Sequence, residues 1–529
     1  MAKKQYITKE LTLEQILWNC RDILRGKVEK ADNRNAVLSL SFLKFAGDKF
    51  LNRRDEIIEE LKKEDFAEEM LIALSDSPAA YGKVNVFYLQ QHCRWSYIVE
   101  MAGDATIAHI LDTAMADIEA QNPQLAGALP QKFFTSLRVE TKTLKSLIDE
   151  INKISSERFQ EKDLIGRVYE YFLQEFSIDE RKDKGEFYTP KCIVELIAEL
   201  LEPYQGKIYD PCCGSGGMFV QSMKFVEAHG GNTSNISVYG QESTPSTYRL
   251  AKMNLAIRGI SHNLGKEAVS TFSNDQHKDL KVDFIMANPP FNLKKWRGED
   301  ELTTDVRWSG YATPPVSNAN YAWILHMLSK LDVTDGIAGF LLANGALGAD
   351  AEEIKIRKQL IKNDKVEAII VLPREMFYST DISVTLWILN NNKRAGIRNG
   401  RQLRSREHEI LFVDLRTWNQ NIYEKSYVYF THEQILAVKK IYNDFQAVDR
   451  PEKYGQPELY RAVKLDEIKK KKYSLVPSQY IEFIDHDLEI DHEAEMQRIQ
   501  ADLKELMKRE KLSQTQLLNA FKNLGYGID

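Results

Sequence analysis

The sequence predicts an α/β protein: a mostly parallel, seven-stranded sheet preceded by an all-α N-terminal domain and followed by a helical C-terminal extension. Three observations carry this prediction. Residues 1 to about 180 repeat apolar side chains at helical spacing, with Leu13, Ile16, Leu17, Cys20, Ile23 and Leu24 in one run and Leu38, Phe42, Leu43 and Phe45 in another. From about Gly185, short β-rich runs alternate with helical patterns, the mark of βαβ units. Beyond about Asn419 the signal weakens into short helices and loops, ending in a highly charged helix.

The β-rich runs fall at 207–210, 236–240, 282–287, 337–342, 366–372, 382–389 and 410–413. Helical patterns separate most of them, but 382–389 follows a strand directly and is expected to pair differently, at an edge. Within the helical half, Gly103 and residues 121–130 read as loops. Near the end, Met496, Ile499, Leu503 and Leu506 fall at 3-4-3 spacing, a stripe that suits either a partner helix or an internal core. Leu517, Leu518, Phe521 and Leu524 follow, with Gly525 as a helix stop. We expect domains at 1–160 (helical), 161–430 (catalytic) and 431–529 (extension).

Composition bounds the function. The chain has 529 residues, 43% hydrophobic and 28% charged, which excludes a disordered or collagen-like protein. Its five cysteines (Cys20, Cys93, Cys192, Cys212 and Cys213) are odd in number, and the only close pair is adjacent, so a reducing compartment is expected and a structural zinc is not. No secretory signal and no long uncharged apolar run is visible, so a cytoplasmic chain with no membrane span is expected. A net charge of −6 by itself argues against a protein that coats DNA.

Three motifs carry chemistry. The first is Asp210-Pro211-Cys212-Cys213-Gly214-Ser215-Gly216-Gly217, between a strand and an apolar helix. Glycines there let the backbone approach a ligand, although a plain glycine-rich connector has the same pattern. No Gly-Lys-Ser/Thr closes it, so it is not a P-loop. The second is Glu242, at the end of the next strand, placed to accept hydrogen bonds from ribose hydroxyls or to stabilise a helix N-terminus. The third is Asn288-Pro289-Pro290-Phe291, after the apolar run Phe284-Ile285-Met286-Ala287. Two prolines make a rigid extended turn that aims the Asn288 amide oxygen and nearby carbonyls outward as acceptors for an amino group. Phe291 offers a flat face for a ring.

In this order the motifs resemble the amino-group methyltransferases that use S-adenosylmethionine, and so imply a Rossmann-like S-adenosylmethionine-dependent methyltransferase domain. The segment Gly185-Glu186-Phe187-Tyr188-Thr189-Pro190 is similar to their additional cofactor motif. Its position ahead of the glycine loop, behind a helical domain, resembles the modification (M) subunit of type I restriction–modification systems over nearly the whole chain. The C-terminal Tyr473-Ser474-Leu475-Val476-Pro477-Ser478-Gln479-Tyr480 is also of that family's kind.

The resemblance implies N6 methylation of an adenine flipped out of double-stranded DNA. Glu186, Phe187, Tyr188, Thr189, Pro190 and Lys191, with Gly214, Ser215, Gly216 and Gly217, would line the cofactor. Asp210 would help hold it and Glu242 would bind its ribose. Asn288 with Pro289 would grip the target amine, Pro290 would stiffen the turn, and Phe291 would stack on the base. The implied partners are a specificity (S) subunit, a restriction (R) subunit in the full complex, and a second M copy per S. One position departs: where relatives carry an acid after the third strand, this chain reads Ser270-Thr271-Phe272, with Asp275 nearby as a substitute.

No metal is required, and no His/Cys/carboxylate cluster stands at ligand spacing in the chain. Lys294, Lys295, Trp296 and Arg297 suit a DNA backbone clamp or a solvated loop, and the basic stretch at 393–406 suits phosphate contacts or, failing that, a merely soluble loop. Two other readings stay open at this level: a protein-glutamine N-methyltransferase, and a scaffolding subunit with impaired catalysis.

Overall fold

The computed structural model describes residues 11–64, 66, 68–82, 86–155, 189–349, 352–377, 383–419, 423–424, 427–484 and 492–523. The boundary expected at 160 and the residues Glu186, Phe187 and Tyr188 lie outside them.

The N-terminal part is helical: α1 (Leu13–Leu24), α2 (Lys30–Lys62), α3 (Glu68–Ser75), α4 (Ala79–Gly82), α5 (Trp95–Glu100), α6 (Ile107–Gln121), α7 (Phe133–Ser136) and α8 (Thr141–Ile151). Helix α1 opens with a capping box, in which the Gln15 amide N–H donates to Thr12 Oγ1 and the Thr12 N–H to Gln15 Oε1. The apolar faces predicted from spacing, including Leu13, Ile16, Leu17, Cys20, Leu38 and Phe42, meet in one core.

The second part comprises α9 (Lys191–Leu201), α10 (Gly217–Ala228), α11 (Pro245–Ile257), α12 (Asn320–Lys330), α13 (Glu352–Lys362), α14 (His432–Gln446), α15 (Leu465–Lys470) and α16 (His492–Asn523). Its strands are β1 (Gly206–Asp210), β2 (Ile236–Gly240), β3 (His262–Asn263), β4 (Phe284–Ala287), β5 (Ile337–Ala343), β6 (Val366–Val371), β7 (Val384–Asn390), β8 (Gly396–Arg398), β9 (Arg401–Leu403), β10 (Glu409–Asp414), β11 (Tyr423–Glu424), β12 (Tyr427–Val428), β13 (Gly455–Gln456) and β14 (Tyr460–Lys464). Ten of them form one sheet in the order β3-β2-β1-β4-β5-β7-β6-β10-β14-β13. Strands β1 to β5 run parallel, and β7 is antiparallel to both β5 and β6.

The seven-stranded Rossmann-like unit is therefore β3-β2-β1-β4-β5-β7-β6, and three differences from expectation follow. The third strand is the two-residue β3, too short to leave a hydrophobic run. The run at 382–389 does pair antiparallel, but it sits inside the sheet between β5 and β6, where every residue of β7 is buried. The run at 410–413 is β10, an eighth strand, and β14 and β13 continue beyond it, so the division expected at 430 falls within one continuous sheet.

Helices α9, α10, α11 and α14 cover one face of this sheet, and α12, α13 and α15 the other. Helix α11 is buried on two sides, because Leu250, Met253 and Ala256 belong to the N-terminal core. The Lys252 ammonium ties the two parts further by donating to the Ala126 carbonyl at 2.9 Å. Helix α16 packs on nothing among the described residues: Met496, Ile499, Leu503 and Leu506 are all exposed, which removes the internal-core reading of that stripe.

The basic stretch at 393–406 does not form a phosphate-binding surface as a whole, because five of its six cations are engaged within the fold and only Arg394 stands exposed. Arg406 and Glu367 are both fully buried and pair at 2.7 Å. Lys393 is buried and donates to the Val366 and Glu409 carbonyls. Arg401 pairs with Glu202, Arg404 with Glu409, and Arg398 donates to the Leu201 carbonyl. The stretch rivets the hairpin β8–β9 to the base of the sheet. A clustering not visible in chain spacing occurs in the helical part, where His92 Nε2 meets Asp117 Oδ2 at 2.7 Å with Cys93 alongside, ligand-type atoms within 4.8 Å of one another.

Burial alone would raise the Glu367 carboxyl, but the Arg406 guanidinium and the Asn390 amide hold it below its usual range. Removing the cation should leave an uncompensated buried charge. Arg406→Met is expected to cost about 3–5 kcal/mol in urea unfolding, with much of that recovered in the Arg406→Met/Glu367→Gln double variant.

Candidate active site

The pairing order β4-β1-β2 sets three strand ends side by side, so the loops after Asp210, Gly240 and Ala287 share one edge. In open parallel sheets that carboxyl edge is where ligands bind.

The first loop turns through Gly214 (φ +53°) and Gly216 (φ +81°), backbone conformations that side chains disfavour. A Cβ added at Gly214 or Gly217 would meet nothing within 4 Å, so the loop faces open space. Gly216 precedes α10 without a side-chain cap, while the Asn254 amide from α11 holds the Ser215 carbonyl at 2.7 Å.

Glu242, nearly buried, ties the second loop to the first: its carboxylate accepts from the Gly214 N–H at 3.1 Å and the Thr244 N–H at 2.8 Å. The Ser243 hydroxyl donates to the same carboxylate at 3.4 Å. Asp210 is buried at the end of β1 and accepts from the Cys212 N–H at 3.0 Å. Among the described residues it faces no cation. Burial, with the nearby Glu242 charge, pushes its carboxyl up to about 7.

The third loop begins at Asn288. Its Nδ2 donates to Thr189 Oγ1 at 2.8 Å, which brings the segment ahead of α9 onto the turn. Its Oδ1 is buried and has no hydrogen-bond partner among the described residues. Pro289 is buried and Pro290 half-buried behind it. The Phe291 ring stands edge-on to Phe377, with centroids 6.0 Å apart. Directly after, Asn292 (φ +54°) is pinned from α12: its N–H donates to Asn320 Oδ1 at 3.0 Å, and Asn320 Nδ2 donates back at 2.9 Å.

The fold thus gathers Thr189, Asp210, Gly214, Ser215, Gly216, Gly217, Glu242, Asn288, Pro289, Pro290 and Phe291 at one edge. Pro190 is the buried residue that starts α9, and Lys191 is exposed in its first turn. Asp275 is not a free substitute for the missing acid after the third strand, because its carboxylate pairs with the buried Lys330 at 2.6 Å. Ser270 accepts the Phe272 N–H, and Thr271 donates to the Pro211 carbonyl. Of the basic residues after the turn, Lys294 and Lys295 are exposed. Arg297 instead staples its own loop through the carbonyls of Gly298, Glu299, Glu301 and Pro314. Asn254 and Asn320 escaped notice in the sequence: each is one amide on a helix, and nothing local marks which distant loop it holds.

Strand order and the three aligned loops define a Rossmann-like methyltransferase domain, and the comparisons agree. The N-6 DNA Methylase family model matches residues 160–488, more than half of the chain, and the HsdM N-terminal domain model matches 13–151. The Type I restriction enzyme HindI methylase subunit of Haemophilus influenzae is 38% identical over 79% of this chain and 93% of its own length. The MjaIX methylase subunit of Methanocaldococcus jannaschii is 32% identical over 98% of this chain and 92% of its own. In fold, the chain is similar to the crystal structure of a type I restriction-modification methyltransferase subunit from Streptococcus thermophilus, at a TM-score of 0.71 and 24% identity, covering 89% and 99% of the two chains. The chain belongs to the N-6 DNA methylase family, the adenine-specific DNA methyltransferases, among the type I modification subunits.

Asp210 sets a pH test. Its folded value lies above its unfolded one, so the buried carboxylate lowers stability progressively as pH rises from about 4 to about 7. Asp210→Asn should match the parent near pH 4 and exceed it at pH 8 by a few kcal/mol in urea unfolding.

Proposed function

We propose that this chain, as the modification subunit of a type I restriction–modification complex, transfers a methyl group from S-adenosylmethionine to N6 of an adenine flipped out of double-stranded DNA. The observation that carries the reading is the Asn288 Oδ1: a buried acceptor with no partner among the described residues, on a rigid turn, beside an aromatic ring. Such an atom costs free energy until a donor reaches it, and an exocyclic amine is a donor of the right kind.

The donor set suits the cofactor. Open space over Gly214 and Gly217 admits its methionine end, with Thr189 at the rim, and Glu242, tied to the glycine loop at the second strand end, is the carboxylate we assign to its ribose. Asp210, a buried carboxyl with no cation of its own among the described residues, suits a positively charged ligand. We assign Glu186, Phe187, Tyr188, Pro190 and Lys191 to the same site on the resemblance alone. When bound, S-adenosylmethionine supplies a methyl group already activated on a sulfonium. The protein's task is therefore positioning rather than acid–base chemistry. Asn288 Oδ1 and the Asn288 or Pro289 carbonyl accept the two amine hydrogens and favour a pyramidal nitrogen, a geometry belonging more to the transition state than to the ground state. Phe291, held edge-on by Phe377, replaces the stacking that the base loses on leaving the duplex.

In this reading sequence specificity comes from a separate S subunit, two M chains join each S, an R subunit completes the complex, and the assembly works in the cytoplasm. The exposed apolar stripe of α16 is the surface we assign to subunit docking. Lys294 and Lys295 are the candidates for backbone contact beside the flipped base.

Tritiated methyl transfer to unmodified host DNA, with the co-purified partner, tests the reaction. Asn288→Ala should lower transfer by about 100-fold or more while calorimetry shows S-adenosylmethionine affinity retained. Removing residues 492–529 should abolish co-purification of the partner and leave the thermal unfolding of the remainder unchanged. Full sequence-specific transfer by the chain alone would overturn the assignment of specificity to a partner.

A further inference from the structure

Two loops around the site converge on one buried arginine that belongs to none of the motifs. Arg307 lies in the long loop of residues 292–319, between the Asn288 turn and α12. Its Nη1 donates to the Thr271 carbonyl at 3.0 Å, and its Nη2 to the Phe272 carbonyl at 2.9 Å. Asp305 takes its Nε and Nη2 at 2.8 and 2.7 Å, and its plane lies over the Trp308 ring.

The residues it grips directly follow Ser270, which stands where the family carries an acid toward the cofactor. They touch the cofactor side directly: Thr271 Oγ1 donates to the Pro211 carbonyl at the root of the glycine loop, and the Val269 N–H donates to the Glu242 carbonyl. Helix α12 completes the clamp with side chains at helical spacing. Asn320 pins the Asn292 turn, Trp323 packs on Phe272 at 4.2 Å, and His326 meets Arg307 Nη1 and the Tyr209 hydroxyl. Lys330 holds Asp275 and the His277 carbonyl. Full burial keeps His326 neutral, its value lowered to about 3, so Nδ1 accepts from Arg307 while Nε2 donates to Tyr209.

We propose that Arg307 is a positioning residue that couples the two substrates: by joining residues 271–272 to the loop 292–319, it makes cofactor binding order the loop that carries Lys294 and Lys295. The idea rests on the cofactor assignment above. The coupling needs no contact between Arg307 and either ligand, because both loops hang from one guanidinium whose donors are used on fixed acceptors. Lysine cannot replace it, since an ammonium lacks the planar fork that spans two carbonyls and a carboxylate at once.

Hydrogen–deuterium exchange of the full chain, with and without saturating S-adenosylmethionine, tests this. In the parent chain the cofactor should slow exchange in residues 211–217 and also in 292–319, each by about tenfold or more. Arg307→Gln and Arg307→Lys should keep the protection at 211–217 and reduce that at 292–319 to less than about twofold, with exchange in β5 unchanged. Should Arg307→Gln loosen β5 itself, Asp305→Asn, which removes only the ion-pair partner, carries the same expectation. Protection of 292–319 that survives in these variants, or is missing from the parent chain while 211–217 is protected, overturns the coupling. Absence of protection at 211–217 in the parent chain overturns the cofactor assignment, and the coupling with it.

Discussion

Parallel pairing of β1 with both β2 and β4 is the constraint on which everything else rests. It places the carboxyl ends of Asp210, Gly240 and Ala287 in adjacent positions, and no side chain has to be recruited from afar to assemble the site. The pairing is secured by burial: every residue of β4, β5 and β7 is buried, with α9, α10 and α11 on one face and α12 on the other. What remains for polar chemistry is to fix three short loops over a rigid edge. Single amides do most of that fixing, with Asn254 on the first loop and Asn320 behind the third.

The parts of this design that were legible in the sequence are those whose cause is local. A strand, two prolines and an aromatic announce a rigid turn wherever they occur, and the glycine loop states its own backbone freedom. The seven strands were read with one exchange: β3 has two residues and no apolar run, whereas β10 has a full run but lies outside the unit. The direction of β7 was readable from the missing crossover helix. Its place inside the sheet was not, since strand order is decided by which distant strands pair along its two edges.

Charge was harder to read than pattern, because a cation in a sequence does not say what it faces. The stretch at 393–406 has the composition of a nucleic-acid surface, yet Lys393 and Arg406 are buried and Arg401 and Arg404 are paired. Arg307 is the converse case. Nothing in its surroundings along the chain marks it, and its importance lies wholly in the two carbonyls and one carboxylate that it holds together. The net charge of −6 is therefore compatible with a DNA-facing edge that exposes only a few lysines, provided that most affinity for DNA is contributed elsewhere in an assembly.

In the proposed reading, the Asn288 oxygen would also act as a filter among bases. An unmatched buried acceptor is worth roughly 1–3 kcal/mol to whichever group brings it a hydrogen. The 6-amino group of adenine and the 4-amino group of cytosine both bring one. The carbonyl edges of guanine and thymine present a second lone pair instead, so two acceptors would face each other across the turn. At that position the two carbonyl bases are thus disfavoured by electrostatic sign. Telling the remaining purine from the remaining pyrimidine falls to the size and shape of the space between Phe291 and the open glycine loop.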